Sequence, residues 1–176
     1  QGFLEDKVLE NGFIILFGLS MLYLASTSRI ISHIRILVMQ GILLFLICIL
    51  GHKSTPLLDI AFLIIETLVV KSIVIPWFLY RVLKKTGANR DEAANIPHFY
   101  CLVISSVILL AGFLASNCMI GMKNIAPLYF GISVSVIVIS LWLITIKHKI
   151  VSNVIEFITM ENGIFLLSLS VAKQMP

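Results

Sequence analysis

Long apolar runs separated by short polar segments extend over the whole chain. Six runs reach or approach the length of about 20 residues that an α-helix needs to cross a hydrocarbon layer. They are Asn11–Ser28, Ile34–Leu50, Leu57–Leu83, Phe99–Ser116, Pro127–Ile146 and Ile150–Ala172. The pattern predicts an all-α polytopic membrane protein, with about six transmembrane helices and short loops in a single domain over residues 1–176.

Prolines mark most of the boundaries between these runs. Pro56, Pro97 and Pro127 stand just before or at the first residue of a run, where a helix tolerates the missing N–H. Pro76 instead lies inside the third run. There it is expected to kink the helix and to free the carbonyl of Ser72.

Composition supports the membrane assignment and excludes several other classes. Hydrophobic residues make up 59% of the chain and charged residues 12%, against about 45–50% and about 25% in soluble domains. The net charge of +4 is spread over small groups of bases between apolar runs, which does not suit nucleic acid. Cys48, Cys101 and Cys118 are unclustered and are interpreted as packing residues, so no metal, haem or iron–sulfur site is expected in this chain.

The distribution of Lys and Arg predicts the orientation in the membrane. Eight bases follow the first, third and fifth runs, namely Arg29, Arg35, Arg81, Lys84, Lys85, Arg90, Lys147 and Lys149. Four lie on the opposite side, namely Lys7, Lys53, Lys123 and Lys173. Cytoplasmic loops carry the excess of bases in membrane proteins. The N-terminus is therefore predicted to lie outside, with the loops after helices 1, 3 and 5 in the cytoplasm.

Four ionisable residues interrupt the apolar runs: Glu66, Lys71, Glu156 and Glu161. A charge deep in a bilayer is costly and is usually paired, hydrated or functional. At a rise of about 1.5 Å per residue, Glu66 and Glu161 fall roughly 13–16 Å deep, near the midplane, and Lys71 and Glu156 fall in the cytoplasmic half. If the third and sixth helices are neighbours, these residues form a proton-transfer chain from the inner surface to mid-membrane.

Structural interpretations of these residues stay open. Glu156 lies close enough to the membrane surface to be solvated, Glu66 could be neutral within a helix contact, and Lys71 could be a counter-charge. For Glu161 the functional interpretation is favoured, because it is the deepest of the four and has supporting neighbours. Asn162 offers an amide that could hold a carboxylate or water, and the following Gly163 permits close helix approach.

Catalytic chemistry has little support in the sequence. His33, His98 and His148 lie in or near loops, where solvation is the expectation, and they form no recognisable pair with a nucleophile. No motif of a serine hydrolase, a zinc protease or a phosphate-binding loop is found. The chain is therefore not expected to be an enzyme on its own.

Two local patterns resemble a known family. One is Met160-Glu161-Asn162-Gly163, which follows the basic residues Lys147, His148 and Lys149, and the other is Lys71 five residues before Pro76. They resemble component E of hydrogenase-4, a membrane subunit of group 4 energy-converting hydrogenases and formate hydrogenlyase complexes. That family is related to the K-type subunit of respiratory complex I, and its several hydrophobic spans and short loops agree with the whole chain.

The resemblance implies that Glu161 and Lys71 match an intramembrane glutamate and lysine of the family. It further implies contact with antiporter-like membrane subunits, and nickel–iron and iron–sulfur centres in partner subunits rather than in this chain. Family members usually continue into a seventh span. This chain ends at Pro176, so two alternatives stay open: it is truncated before a further C-terminal helix, or this member is shorter.

Two functions from different classes follow from these observations. The leading one is an accessory membrane-arm subunit of a proton- or sodium-translocating, complex-I-like oxidoreductase in a prokaryotic inner membrane. Its intramembrane Glu and Lys residues would relay charge. The alternative is a stand-alone small secondary transporter with Glu161 in its binding site, and a purely structural membrane protein is a third reading.

Overall fold

The structure is a computed structural model that describes residues 2–51, 65–87, 96–118 and 127–172, with side chains over 5–50, 69–87, 96–118 and 127–171. Throughout these residues the regular elements are helical. In chain order they are α1 (Gly2–Ser26), α2 (Ile30–Gly51), a π-helix (Ile65–Val74), α3 (Ile75–Thr86), α4 (His98–Cys118), α5 (Pro127–Ile146) and α6 (Ile150–Ala172).

Five of these helices, α1, α2, α4, α5 and α6, are long and apolar enough to cross a membrane. The predicted all-α polytopic membrane architecture is therefore confirmed. Of the third predicted run, Leu57–Leu83, residues 57–64 lie outside the described residues. The rest of that run forms the π-helix and α3, which follow each other without a break.

The observed helix bounds extend beyond the apolar runs at some ends. Helices α5 and α6 have the predicted bounds, whereas α1 begins at Gly2 rather than Asn11 and α2 at Ile30 rather than Ile34. The added first part of α1 contains charged residues such as Glu5 and Lys7, which favour helix but not hydrocarbon. An apolar run therefore marks the part of a helix that lies in lipid rather than the whole helix.

Pro76 lies where the helical hydrogen-bond pattern changes. The π-helix ends at Val74, and Pro76 occupies the first turn of α3. The first turn is the part of an α-helix in which N–H groups have no partner within the helix, so a proline is tolerated there. The interruption expected from Pro76 thus takes the form of a change from π-helix to α-helix just before it.

The helices pack around α2 and α5. Helix α2 contacts α1, the π-helix, α3 and α6, and helix α5 contacts α1, α4 and α6. The larger apolar core is built by α1, α2, α5 and α6, with Phe17, Leu44, Ile139 and Leu166 fully buried. A smaller core joins α2, α3 and α6 near Ile34.

Glycines allow the closest of these helix contacts. A Cβ on Gly131 of α5 would overlap the backbone of Gly112 on α4. A Cβ on Gly163 of α6 would lie 2.9 Å from Cγ1 of Val136 on α5. Small residues let helix backbones approach in this way in membranes, where packing rather than the hydrophobic effect holds helices together.

Side-specific cysteine labelling tests the orientation. Glu5 and His148 are both exposed and lie at opposite ends of the bundle. In a chain whose three native cysteines are replaced by alanine, we expect a membrane-impermeant thiol reagent to label Glu5→Cys only from outside the cell. His148→Cys should react only from the cytoplasmic side. The reverse pattern would invert the orientation that the Lys and Arg distribution predicts.

Candidate functional site

Lys71 and Glu161 form an ion pair between the π-helix and α6. The Lys71 Nζ and Glu161 Oε1 atoms are 3.7 Å apart. The Lys71 ammonium also lies over the Phe165 ring, 5.3 Å from its centroid, which adds a cation–π contact. The structure thus brings together the two residues that the sequence placed on the third and sixth spans.

The two partners of this pair differ in exposure. The Lys71 side chain is 7% exposed, whereas the Glu161 side chain is 51% exposed. Glu161 lies on the outer face of α6 with Phe157 and Ile164, which are also exposed. A carboxylate about halfway along a membrane-spanning helix is costly to leave against lipid. A group that covers the outer face of α6 at Glu161 would therefore lower this cost.

A second ion pair lies inside the bundle. The Lys147 Nζ and Glu156 Oε1 atoms are 2.5 Å apart, and Glu156 is fully buried. Lys147 follows the last residue of α5 and continues its hydrogen-bond ladder, since its N–H donates to the Leu143 carbonyl. Glu156 is therefore not a solvated group at the membrane surface, which was one of the readings left open by the sequence.

The pairing also differs from the arrangement in depth inferred from the sequence. Counting residues along the helices put Lys71 at the same depth in the membrane as Glu156. In the structure, however, Lys71 pairs with Glu161, and Glu156 pairs with Lys147. Five residues on an α-helix correspond to a rotation of about 140°. Glu156 and Glu161 consequently point away from each other on α6, and a depth estimate carries no information on this rotation.

Two residues assigned to solvated loops are in fact buried. His33 is fully buried in the first turns of α2, and its Nε2 lies 2.9 Å from the carbonyl oxygen of Thr27. Lys147 is only 9% exposed and lies close enough to His33 for an electrostatic interaction. One sequence signal was available for Lys147, because the buried Ser133 and Ser140 precede it on α5 at steps of seven.

Buried amides form the polar centre of the bundle. The Gln40 amide nitrogen donates to the Ser20 hydroxyl at 2.8 Å, and the Asn162 amide nitrogen lies 3.5 Å from the Gln40 amide oxygen. These contacts join α1, α2 and α6. The Asn162 Oδ1 atom is buried and has no hydrogen-bond partner within the described residues. The residue that precedes Gly163 and follows Glu161 therefore has a buried carbonyl oxygen that can still accept a hydrogen bond.

The remaining predicted residues take different places. The side chain of Glu66 lies outside the described residues, so its predicted relay role stays a prediction. Gly163 lies at the α5–α6 contact, and Pro76 begins α3. The sequence analysis missed Glu10, which is buried near the start of α1 and accepts a hydrogen bond from the Tyr129 hydroxyl.

We searched the described residues for a metal-binding group and compared the chain with known proteins. In the part of the chain that the structure describes, no three His, Cys, Asp or Glu residues are grouped to hold a metal ion. Comparison of the chain with protein-family models, curated proteins and solved structures finds no match. The two ion pairs and the amide cluster are therefore the features that define the chemistry of the site.

A double-mutant cycle tests the inner pair. Glu156→Met leaves a buried ammonium without its carboxylate, and we expect the free energy of unfolding in detergent to fall by about 3–5 kcal/mol. The double variant Lys147→Met with Glu156→Met removes both charges at similar volume and should recover most of that loss. Purely additive effects would contradict a direct interaction between the two side chains.

Proposed function

We propose that the chain is an accessory membrane-arm subunit of a proton- or sodium-translocating, complex-I-like hydrogenase or related oxidoreductase. In this role Lys71 and Glu161 relay charge to a neighbouring antiporter-like subunit. The chain itself does no redox chemistry, and the nickel–iron and iron–sulfur centres belong to partner subunits. The cell membrane of a prokaryote is the corresponding location.

The half-exposed Glu161 is the observation that supports this proposal most. A transport site within one chain would be surrounded by its own helices, whereas Glu161 lies on the outer face of α6 and is 51% exposed. A partner subunit that covers this face would lower the cost of the carboxylate and receive its charge. The resemblance of Met160-Glu161-Asn162-Gly163 to the hydrogenase-4 component E family points in the same direction.

The chemistry of a relay also suits this pair. Glu161 and Lys71 interact at 3.7 Å, so a change of charge on one alters the stability of the charged form of the other. A partner that adds or removes charge near Glu161 would therefore change the state of the buried Lys71. Coupling of this kind requires no bound cofactor in this chain.

The π-helix favours a second candidate function, a stand-alone secondary transporter. π-Helical segments occur frequently at functional sites, and transporters commonly build their binding sites from irregular helices. Here Lys71 lies within Ile65–Val74, directly before α3. In this alternative Glu161 would belong to the binding site of a self-contained protein.

Purification in mild detergent separates the two functions. A subunit is expected to co-purify with larger membrane proteins, and to lose stability when these are removed, because Glu161 then faces detergent. A monodisperse protein that remains folded alone and transports an ion or solute in vesicles would support the transporter instead.

Substitution of Glu161 tests the relay. Glu161→Gln keeps nearly the same shape but cannot exchange a proton, so ion pumping by the assembled complex in vesicles should be lost while the complex still assembles. Glu161→Asp should retain part of the pumping, and Lys71→Ala should resemble Glu161→Gln. Ser168→Ala provides the matched control, because Ser168 is exposed seven residues further along α6.

Pumping and electron transfer are measured on the same complex. Loss of pumping with electron transfer retained identifies a defect in charge movement rather than in assembly. Normal pumping in the Glu161→Gln complex would remove Glu161 from the pathway and leave the pair a structural role.

A further inference from the structure

The outward surface of the π-helix and α3 changes in chemical character along the chain. Aliphatic side chains are exposed on the π-helix, aromatic side chains on the first turns of α3, and bases on its last turns. Representative exposed residues are, in chain order, Val70, Ile73, Trp77, Tyr80, Lys84 and Lys85. The surface therefore has an apolar, an aromatic and a cationic zone in succession.

The cationic zone consists of Arg81, Lys84 and Lys85. These residues lie on one side of α3, because residues three and four apart are neighbours on a helix. The Arg81 guanidinium lies over the Trp77 ring, 5.5 Å from its centroid, and so joins the cationic zone to the aromatic one. Helix α3 contains no acidic residue, and no described carboxylate forms an ion pair with these three bases. Their charges are therefore available to an anionic ligand.

The opposite face of α3 determines where the cationic zone lies in the bundle. Leu79 and Leu83 pack in the smaller core with Ile34 of α2 and Val151 of α6. Both of these partners lie near the first residues of helices that are long and apolar enough to cross a membrane. The start of such a helix lies close to a membrane surface. The last turns of α3 are therefore at the level of lipid headgroups.

We propose that this surface of the π-helix and α3 binds an anionic phospholipid of the adjoining leaflet. The headgroup phosphate lies against Arg81, Lys84 and Lys85, the Trp77 ring lies at the level of the glycerol backbone, and an acyl chain lies against Ile73. This binding site is separate from the proposed charge relay. It requires only that the chain is embedded in a lipid bilayer.

The order of the three zones favours a lipid over an acidic protein segment. A phospholipid carries its negative charge at one end and hydrocarbon at the other, which matches the cationic and apolar zones. Tryptophan prefers the interface between these two regions, and clustered bases next to a membrane attract anionic headgroups. An acidic protein segment would match the bases alone and would leave the aromatic and apolar zones without a role in recognition.

Short-range fluorescence quenching tests which lipid lies against α3. The protein, with the subunits that it retains, carries Tyr80→Cys labelled with bimane and has its three native cysteines replaced by alanine. It is placed in phosphatidylcholine bilayers with a minor fraction of phosphatidylglycerol, and the same assembly without Tyr80→Cys gives the background. One of the two lipids carries a nitroxide near the headgroup end of an acyl chain. Each base near the surface favours an anionic lipid by up to about fivefold, so we expect labelled phosphatidylglycerol to quench several-fold more than labelled phosphatidylcholine.

Two matched variants separate charge from shape. Arg81→Gln with Lys84→Gln and Lys85→Gln should quench equally with both lipids. Arg81→Lys with Lys84→Arg and Lys85→Arg should keep the preference, because it keeps all three charges. The three side chains are exposed, so both variants are expected to fold.

A second label position controls for the overall charge of this end of the bundle. Phe99 is exposed near the start of α4, which lies at the same end as the last residues of α1 and α5. Bimane on Phe99→Cys should be quenched about equally by the two labelled lipids, since α4 has no basic residue beside it.

A preference at Tyr80→Cys that the glutamine variant loses and the Phe99→Cys label lacks supports the lipid site. Equal quenching at Tyr80→Cys, a preference that survives in the glutamine variant, or the same preference at Phe99→Cys would overturn it. If neither lipid quenches at Tyr80→Cys, protein rather than lipid covers α3, and the lipid site is again overturned. None of these measurements involves ion pumping, so the lipid site and the proposed function can fail separately.

Discussion

The cost of a charge in hydrocarbon governs the arrangement of this bundle. A buried ion is tolerated only when a partner and hydrogen bonds compensate for its lost hydration. The chain meets this requirement in two ways on one helix. Glu156 is enclosed and bonded to Lys147, whereas Glu161 is half-exposed and held from one side by Lys71. The first pair is enclosed by the chain's own helices, and the second leaves one side of a carboxylate exposed.

Helix α6 fixes how its neighbours pack, because the residues on its inward face are small or polar. Gly163 brings α6 against Val136 of α5, and Asn162 meets Gln40 of α2. Ser152 and Thr159 are fully buried on the same helix. Polar contacts of this kind hold helices in one register where apolar surfaces alone would allow several. The position of Glu161 on the outer face then follows from the orientation that these inner contacts impose on α6.

Hydropathy and spacing predicted the elements of the fold better than the contacts of the site. The bounds of α5 and α6 follow directly from apolar runs, and the depth of Glu161 along α6 follows from counting residues. The burial of Lys147 and His33 could not be obtained in this way, because it depends on where the ends of α1, α4 and α5 converge. A linear count gives position along an axis and leaves the direction of each side chain undetermined.

The two ion pairs are close enough to affect each other. Glu156 and Glu161 are separated by about 7.5 Å along the axis of α6 and point to different sides, which puts their carboxylates roughly 12 Å apart. At an effective dielectric constant of about 20, a unit change of charge on one alters the electrostatic free energy of the other by about 1.4 kcal/mol. A partner that changes the charge near Glu161 therefore also changes the electrostatic potential at the Lys147–Glu156 pair. Two pairs that share no atom are thus coupled electrostatically along a single helix.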